Sequence, residues 1–192
     1  MRFNLVDRIV DVQPGRSLRA VKLLTLGEEY LADHFPAFPV MPGVLMLQTL
    51  VEAGAWLLRL TEDYRHSVIV LREARNVKYG TFMEPGRQLD LTVELTEKDD
   101  YLATFKGRGE VDGNTAVAAK LTLGRYNLRD RNPDSRPLQA TDEALVKHLR
   151  EVGALLWGGE LRAAANAPAG SDGSRTPSGV SGVSGVSGVK ES

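Results

Sequence analysis

The stretch from Gly43 to Leu60 is apolar almost all round, with Gln48, Thr49, Glu52 and Arg59 its only strongly polar members. A helix on a protein surface carries one apolar stripe, whereas a helix with no polar face needs cover on most sides. The cover must come from the segments around it. Ile9 to Val12 and Leu18 to Leu24 flank Pro14-Gly15, which supplies a fixed φ followed by a permissive residue and predicts a hairpin. Further strands are expected over His66 to Tyr79, Gln88 to Thr96, Tyr101 to Val111 and Thr115 to Tyr126. Their connections, Glu84-Pro85-Gly86, Lys98-Asp99-Asp100 and Asp112-Gly113-Asn114, are turn chemistry, and the last two imply tight antiparallel pairing. The pattern is α+β: a curved antiparallel sheet wrapped around one long buried helix.

That domain accounts for residues 1–128. Arg129 onward contains Asn132-Pro133-Asp134, so 129–140 reads as a linker. Ala144, Leu145, Leu149, Val152, Leu155 and Leu156 then recur at spacings of three and four. They predict an extra C-terminal amphipathic helix over 141–161, with Asp142 and Glu143 at its positive end. Residues 162–192 include four copies of Ser-Gly-Val between Ser178 and Val189 and read as a low-complexity, disordered tail.

The segment joining the first strands to the helix is Asp33 to Gly43, DHFPAFPVMPG. Three prolines fix φ and bias each preceding residue toward extended backbone, so His34 is presented by a stiff strap. Stiffness is what a positioned acid or base requires. Pro42 suits the first helical position, and the backbone N–H of Gly43 follows it. Partly positive N–H groups there, with a glycine permitting close approach, can stabilise negative charge developing on a thioester oxygen.

HFPAFPVMPG resembles the active-site strap of the 3-hydroxyacyl-acyl-carrier-protein dehydratases, whose pattern is His-Phe-Pro-x-x-Pro-x-x-Pro-Gly. The likeness extends upstream through Leu5-Val6-Asp7-Arg8-Ile9 and more loosely downstream to Tyr126, about two thirds of the chain. It implies a hotdog fold that dimerises edge to edge, with active sites in channels at the interface. It also implies that His34 removes the α proton of a 3-hydroxyacyl thioester and that the Gly43 amide binds its carbonyl. Phe35, Met41 and Pro42 are then expected to bind substrate. No cofactor is needed, because the thioester itself acidifies the α proton. The expected partners are an acyl carrier protein or coenzyme A thioester and a second copy of the chain.

One departure affects the chemistry. Fourteen positions after His34 the family carries a carboxylate, and this chain carries Gln48; four residues later, where relatives often have glutamine, stands Glu52. An amide orients a hydroxyl but does not titrate at useful pH. Loss of one acid–base group costs about 10²–10⁴ in rate. Glu52 lies one turn on, about 6 Å in rise and about 40° in azimuth from Gln48, close enough to share the hydroxyl side of the site. Three readings follow: a working dehydratase using Gln48 and Glu52; a weakened paralogue that binds acyl chains or completes a heterodimer; and a hotdog thioesterase or hydratase.

Other features are less specific. With 24 basic and 25 acidic residues the formal net charge is -1, which gives no bulk attraction to nucleic acid or anionic lipid. Arg72, Arg75, Lys78 and Arg87 can still form a local basic rim for an acidic carrier protein. Phe38, Phe82, Met46 and Met83 are candidates to line an acyl channel. Cysteine is absent, and His66 and His148 lack companions at metal spacing, so no metal site is expected. The N-terminus is interrupted by charge too soon for a signal peptide, and the longest apolar stretch reads as short for a membrane span. A cytoplasmic protein is expected.

Overall fold

The computed structural model describes residues 4–157. The chain runs β1 (Arg8–Gln13), β2 (Ser17–Leu23), a 3-10 turn (Glu29–Leu31), α1 (Gly43–Thr61), β3 (Val68–Tyr79), β4 (Gln88–Lys98), β5 (Leu102–Val111), β6 (Asn114–Tyr126), a second 3-10 turn (Leu128–Arg131) and α2 (Arg136–Leu156). All strand pairs are antiparallel, in the order β1-β2-β4-β5-β6-β3.

Strict alternation makes the sheet one-sided. Leu89, Leu91 and Val93 of β4, Phe105 of β5 and Leu121 and Leu123 of β6 are essentially inaccessible. They face α1, which packs against β2, β3, β4, β5 and β6. The sheet thus wraps the helix and buries Leu50, Ala53, Leu57 and Leu58. By length and composition alone α1 also reaches the threshold for a membrane span, contrary to the reading from sequence, but its buried residues make it the core helix of this sheet. The hairpin turn falls at Gly15 with φ of 71°, as Pro14-Gly15 predicted.

Four sequence expectations need correction. Pro42 is the N-cap, not the first helical residue: its ψ is 135°, and its carbonyl accepts from Leu45 (2.9 Å) and Met46 (3.1 Å). The linker is shorter than 129–140, because a 3-10 turn occupies Leu128–Arg131 and α2 already begins at Arg136, with Pro137 in its first turn. α2 ends at Leu156, and the expected residues 158–161 and the tail lie outside the described residues. Asp142 therefore sits in the second turn of α2, not at its start. It is buried and accepts from the Ser67 hydroxyl and from the amides of Leu128 (2.9 Å) and Arg129 (3.0 Å), tying α2 to the 3-10 turn and to the start of β3. The other end of α2 is fixed by Arg150, which donates to the carboxylate (2.7 Å) and carbonyl (2.8 Å) of Asp63 and lies over the ring of Tyr64.

Candidate active site

Three of the four strongly polar residues between Gly43 and Leu60 have evident occupations. Thr49 turns its hydroxyl onto the Met46 carbonyl at 2.6 Å. Arg59 lies over the Trp56 ring at 5.0 Å, and burial lowers its pKa to about 10 despite the opposing pull of Tyr64 and Glu52. Glu52 uses one oxygen, Oε2, to accept from the backbone amides of Leu5 (2.8 Å) and Val6 (3.2 Å). Burial pushes the Glu52 carboxyl above its ordinary range; the two backbone hydrogen bonds, one from the Gln48 side chain and the charge of Arg59 pull against that shift without cancelling it. The upstream segment Leu5-Val6-Asp7 is thus a clamp. Asp7 extends it by accepting from the Leu23 amide at 2.6 Å, and the buried Lys22 bridges Asp7 and Glu28.

The strap descends to the helix in two tight steps. His34 donates its amide to Tyr30 (3.1 Å), and Phe38 donates to Phe35 (2.8 Å). Phe35 precedes a proline and was expected to be extended, yet its φ is 49°, a region that ordinary side chains rarely enter. The sharp bend brings the rings of Phe35 and His34 to 4.5 Å and leaves the imidazole half-exposed. Such strain at a candidate site is retained only where surrounding contacts enforce it. Here the Met41 amide bonds the Met83 carbonyl at 2.9 Å, and Phe38 meets Phe82 edge to face at 5.9 Å, so the strap is stitched to the segment after β3.

Gly43 and Val44 precede the first helical ladder bond, so their N–H groups have no intrahelical acceptor. Tyr79, at the end of β3, stands against Gly43: a Cβ there would lie 3.0 Å from its ring. Sequence reading passed over Tyr79, whose only signal was an aromatic closing a strand. What aims it is Gly80, where a Cβ would collide with the Thr115 carbonyl; the Gly80 amide instead bonds Ala116 at 2.9 Å.

Among the residues singled out from sequence, Met41, Pro42 and Gly43 lie at the N-terminus of α1, and the strap carrying His34 and Phe35 leads into it. Met41, Met46 and Met83 are buried below it, whereas Phe35 and Phe82 are about 60% exposed. Gln48 and Glu52 lie along the helix, and within one chain the recorded ring contact of His34 is with Phe35. Of the four basic residues, Arg75 pairs with Glu73 and Arg87 with Asp112, and Arg72 and Lys78 stand exposed on β3.

A curved antiparallel sheet around one helix, with a histidine-bearing proline strap leading into that helix, defines a hotdog-fold domain of the dehydratase kind. A family model for the FabA-like domain matches residues 1–120. The chain belongs to the FabA-like family. It is 43% identical over 124 residues to the 3-hydroxyacyl-(acyl-carrier-protein) dehydratase FabZ of Albidiferax ferrireducens, covering 62% of this chain and 82% of that protein. To the FabZ of a Janthinobacterium species it is 35% identical over 132 residues, covering 67% and 85%. Among solved structures, the dehydratase heterocomplex ApeI:P from Xenorhabdus doucetiae superposes with a TM-score of 0.55 at 17% identity, over 65% of this chain and 84% of that one, a likeness of fold.

Proposed function

We propose that this protein dehydrates 3-hydroxyacyl thioesters of an acyl carrier protein to trans-2-enoyl thioesters, as a step of fatty-acid or related lipid synthesis. The observation that carries the reading is the half-exposed His34 on a bent, doubly stitched strap that leads into a helix whose first amides have no intrahelical acceptor. The curated relatives, named as dehydratases of this substrate class, support it.

In this reading the thioester carbonyl accepts from the Gly43 N–H, against the ring of Tyr79. The neutral imidazole of His34 takes the α proton, and the electron pair is held on the carbonyl oxygen near the positive end of α1. The pair then forms the C2=C3 double bond and expels the 3-hydroxyl. The proton carried by His34 passes to that hydroxyl, which leaves as water. Gln48 and Glu52 form the hydroxyl side of the site. Met41 and Pro42 wall the entrance, and Phe35 and Phe38 await cover.

That cover is a second copy of the chain. β3 is a sheet edge of 12 residues, and an open edge of that length invites pairing. Val44, on the first turn of α1, is 69% exposed. Joining two sheets along β3 covers that turn and brings the neighbour's Gln48 toward His34. The exposed Arg72 and Lys78 give an acidic carrier protein a place to dock beside the entrance. A cytoplasmic location completes the proposal.

The test is turnover of 3-hydroxyoctanoyl-acyl carrier protein, followed by absorbance of the enoyl thioester, in the wild-type chain and in His34→Ala. Removing the base is expected to lower kcat by at least about 10²-fold with the dimer intact by light scattering. A second reading draws on the Leu5 and Val6 amides that occupy Glu52: with no freely titrating carboxylate, the chain binds acyl groups without turning them over. Acyl-carrier binding with no turnover by the wild-type chain selects that reading over dehydration.

A further inference from the structure

Resting on the dehydratase reading, we infer that Glu52 is a positioning residue: fixed by the Leu5 and Val6 amides one turn along α1 from Gln48, it orients the Gln48 side-chain amide and so aims the Gln48 carbonyl at the 3-hydroxyl group of the substrate. The exchange of the two residues relative to the family is then a change of mechanism on the hydroxyl side, not a loss of the site.

The argument follows from which groups can donate. An ionised carboxylate is acceptor only, so a side-chain amide bonded to it must present its NH2. The orientation of Gln48 is therefore fixed by its neighbour. In the inferred arrangement its Nε2 turns toward Glu52, and its Oε1, at roughly 120° on the planar fork, turns away. Glu52 itself cannot swing, because Oε2 is held by two backbone donors from a segment bonded in turn to β2 through Asp7. The charged group that bears on it is Arg59, two turns further along α1 and itself held over Trp56. The arrangement is a chain of fixed contacts running from the N-terminal clamp through Glu52 to one carbonyl oxygen.

A carbonyl at that point does something that a carboxylic acid would not. It accepts the hydrogen of the 3-hydroxyl and so turns the oxygen lone pairs of that hydroxyl outward, where the protonated His34 can deliver the proton it has just taken from the α carbon. The α C–H and C3–O bonds break, C2=C3 forms, and water leaves carrying one proton of its own and one from the imidazole. One group titrates, and no second acid is needed. Were Glu52 replaced by glutamine, its single carbonyl would serve Leu5 and Val6, its NH2 would face Gln48, and the Gln48 amide would flip. The substrate hydroxyl would then meet an N–H donor, with its lone pair occupied.

The test uses the full chain, the same substrate and a double-mutant cycle. Glu52→Gln is expected to lower kcat by about 10–10²-fold, as for a misoriented group about 1 Å out of place, with KM within about twofold. In a Gln48→Ala background the same change should have almost no further effect on kcat, because no amide remains to aim. The wild-type kcat/KM profile should show a single limb, rising with pH. The exchanged variant Q48E/E52Q should recover activity over E52Q and gain a second, descending limb. In the wild-type chain, independent of any variant's folding, the side-chain amide resonances of Gln48 should move as Glu52 is titrated with acid. Equal kcat losses for E52Q with and without Gln48, a two-limbed wild-type profile, or Gln48 resonances indifferent to that titration would each overturn the inference. If the wild type turns over and H34A does not while any of these occurs, the positioning role alone is wrong; if the wild type does not turn over, both readings fall together.

Discussion

Replacing Gly43 with alanine probes the proposed carbonyl-binding end of the site without removing any hydrogen-bond donor. The added Cβ meets the Tyr79 ring at 3.0, 3.2 and 3.3 Å. Ordinary contact begins near 3.4 Å, so the ring must retreat by about 0.4 Å, the gap between 3.4 and 3.0. Tyr79 is 50% exposed and has room to do so. The backbone gains: alanine is better than glycine in a helix by up to about 1 kcal/mol, which offsets the tighter contact, so the urea midpoint should hardly change. Catalysis should suffer more. If a misplacement of about 1 Å costs about 10²-fold, a shift of about 0.4 Å costs about sixfold on the same logarithmic scale. The assay is dehydration of the loaded carrier protein by G43A, Y79A and the double variant. Since the loss is steric, it should shrink to less than about twofold when Tyr79 is alanine. A sixfold loss that persists in the Y79A background, or no loss in G43A, refutes the reasoning.

The remaining expectations concern the frame around the site. Asp142→Ala strands the Ser67 hydroxyl and the amides of Leu128 and Arg129; at about 1–3 kcal/mol for each unsatisfied buried group, with partial relaxation, urea unfolding should report a loss of roughly 2–4 kcal/mol. Burial raises the Asp142 carboxyl, but the Ser67 hydroxyl, the two amides and the charge of Arg129 outweigh it and hold its pKa below the ordinary 3.8. Its stabilisation is therefore full above that value and lost as pH falls through the lower, folded pKa, so D142A should flatten the acid limb of the wild-type stability profile. Gly80→Ala drives a Cβ into the Thr115 carbonyl; the end of β3 must move, and thermal unfolding should fall together with turnover, since Tyr79 moves with it.

The elements with strong local signals were legible from sequence. Every strand was found within two residues, because inward positions such as Leu89, Leu91 and Val93 alternate without interruption and the turns carry Gly15 and Gly113 at positive φ. Pairing order was less accessible: β3 follows α1 in sequence yet joins the sheet beyond β6, a choice made by long-range contacts. The start of α2 was missed because Asn132-Pro133 reads as a break, although the chain resumes a helix only three residues later with Pro137 in its first turn, a position where proline costs no ladder bond. At the site, the strap was visible as a motif, but the bend at Phe35 was not, since a proline to its right argues for extended backbone. The identity of Glu52 was plain while its partners were not, because they are backbone amides 46 and 47 residues away.

The uneven burial of α1 explains why so apolar a helix can also present a site. From Thr49 to Leu58 nearly every residue is buried, and that end is sealed by α2: Gly153 lets it approach Trp56 and Tyr64, with Leu149, Val152 and Leu156 joining the same core. The first turn has no such cover. Val44 is 69% exposed, and Leu45, Leu47 and Gln48 are half-buried. An exposed valine at the start of the core helix, beside an open 12-residue strand edge, is an unstable arrangement for an isolated chain. Because the free amides of Gly43 and Val44 sit on that same turn, whatever covers the apolar surface also encloses the chemistry. In the proposed dimer, pairing along β3 and completion of the site are one event, so variants that weaken β3 pairing should lose turnover in proportion to the loss of dimer, and dilution should reduce the specific activity of the wild-type chain along the same curve.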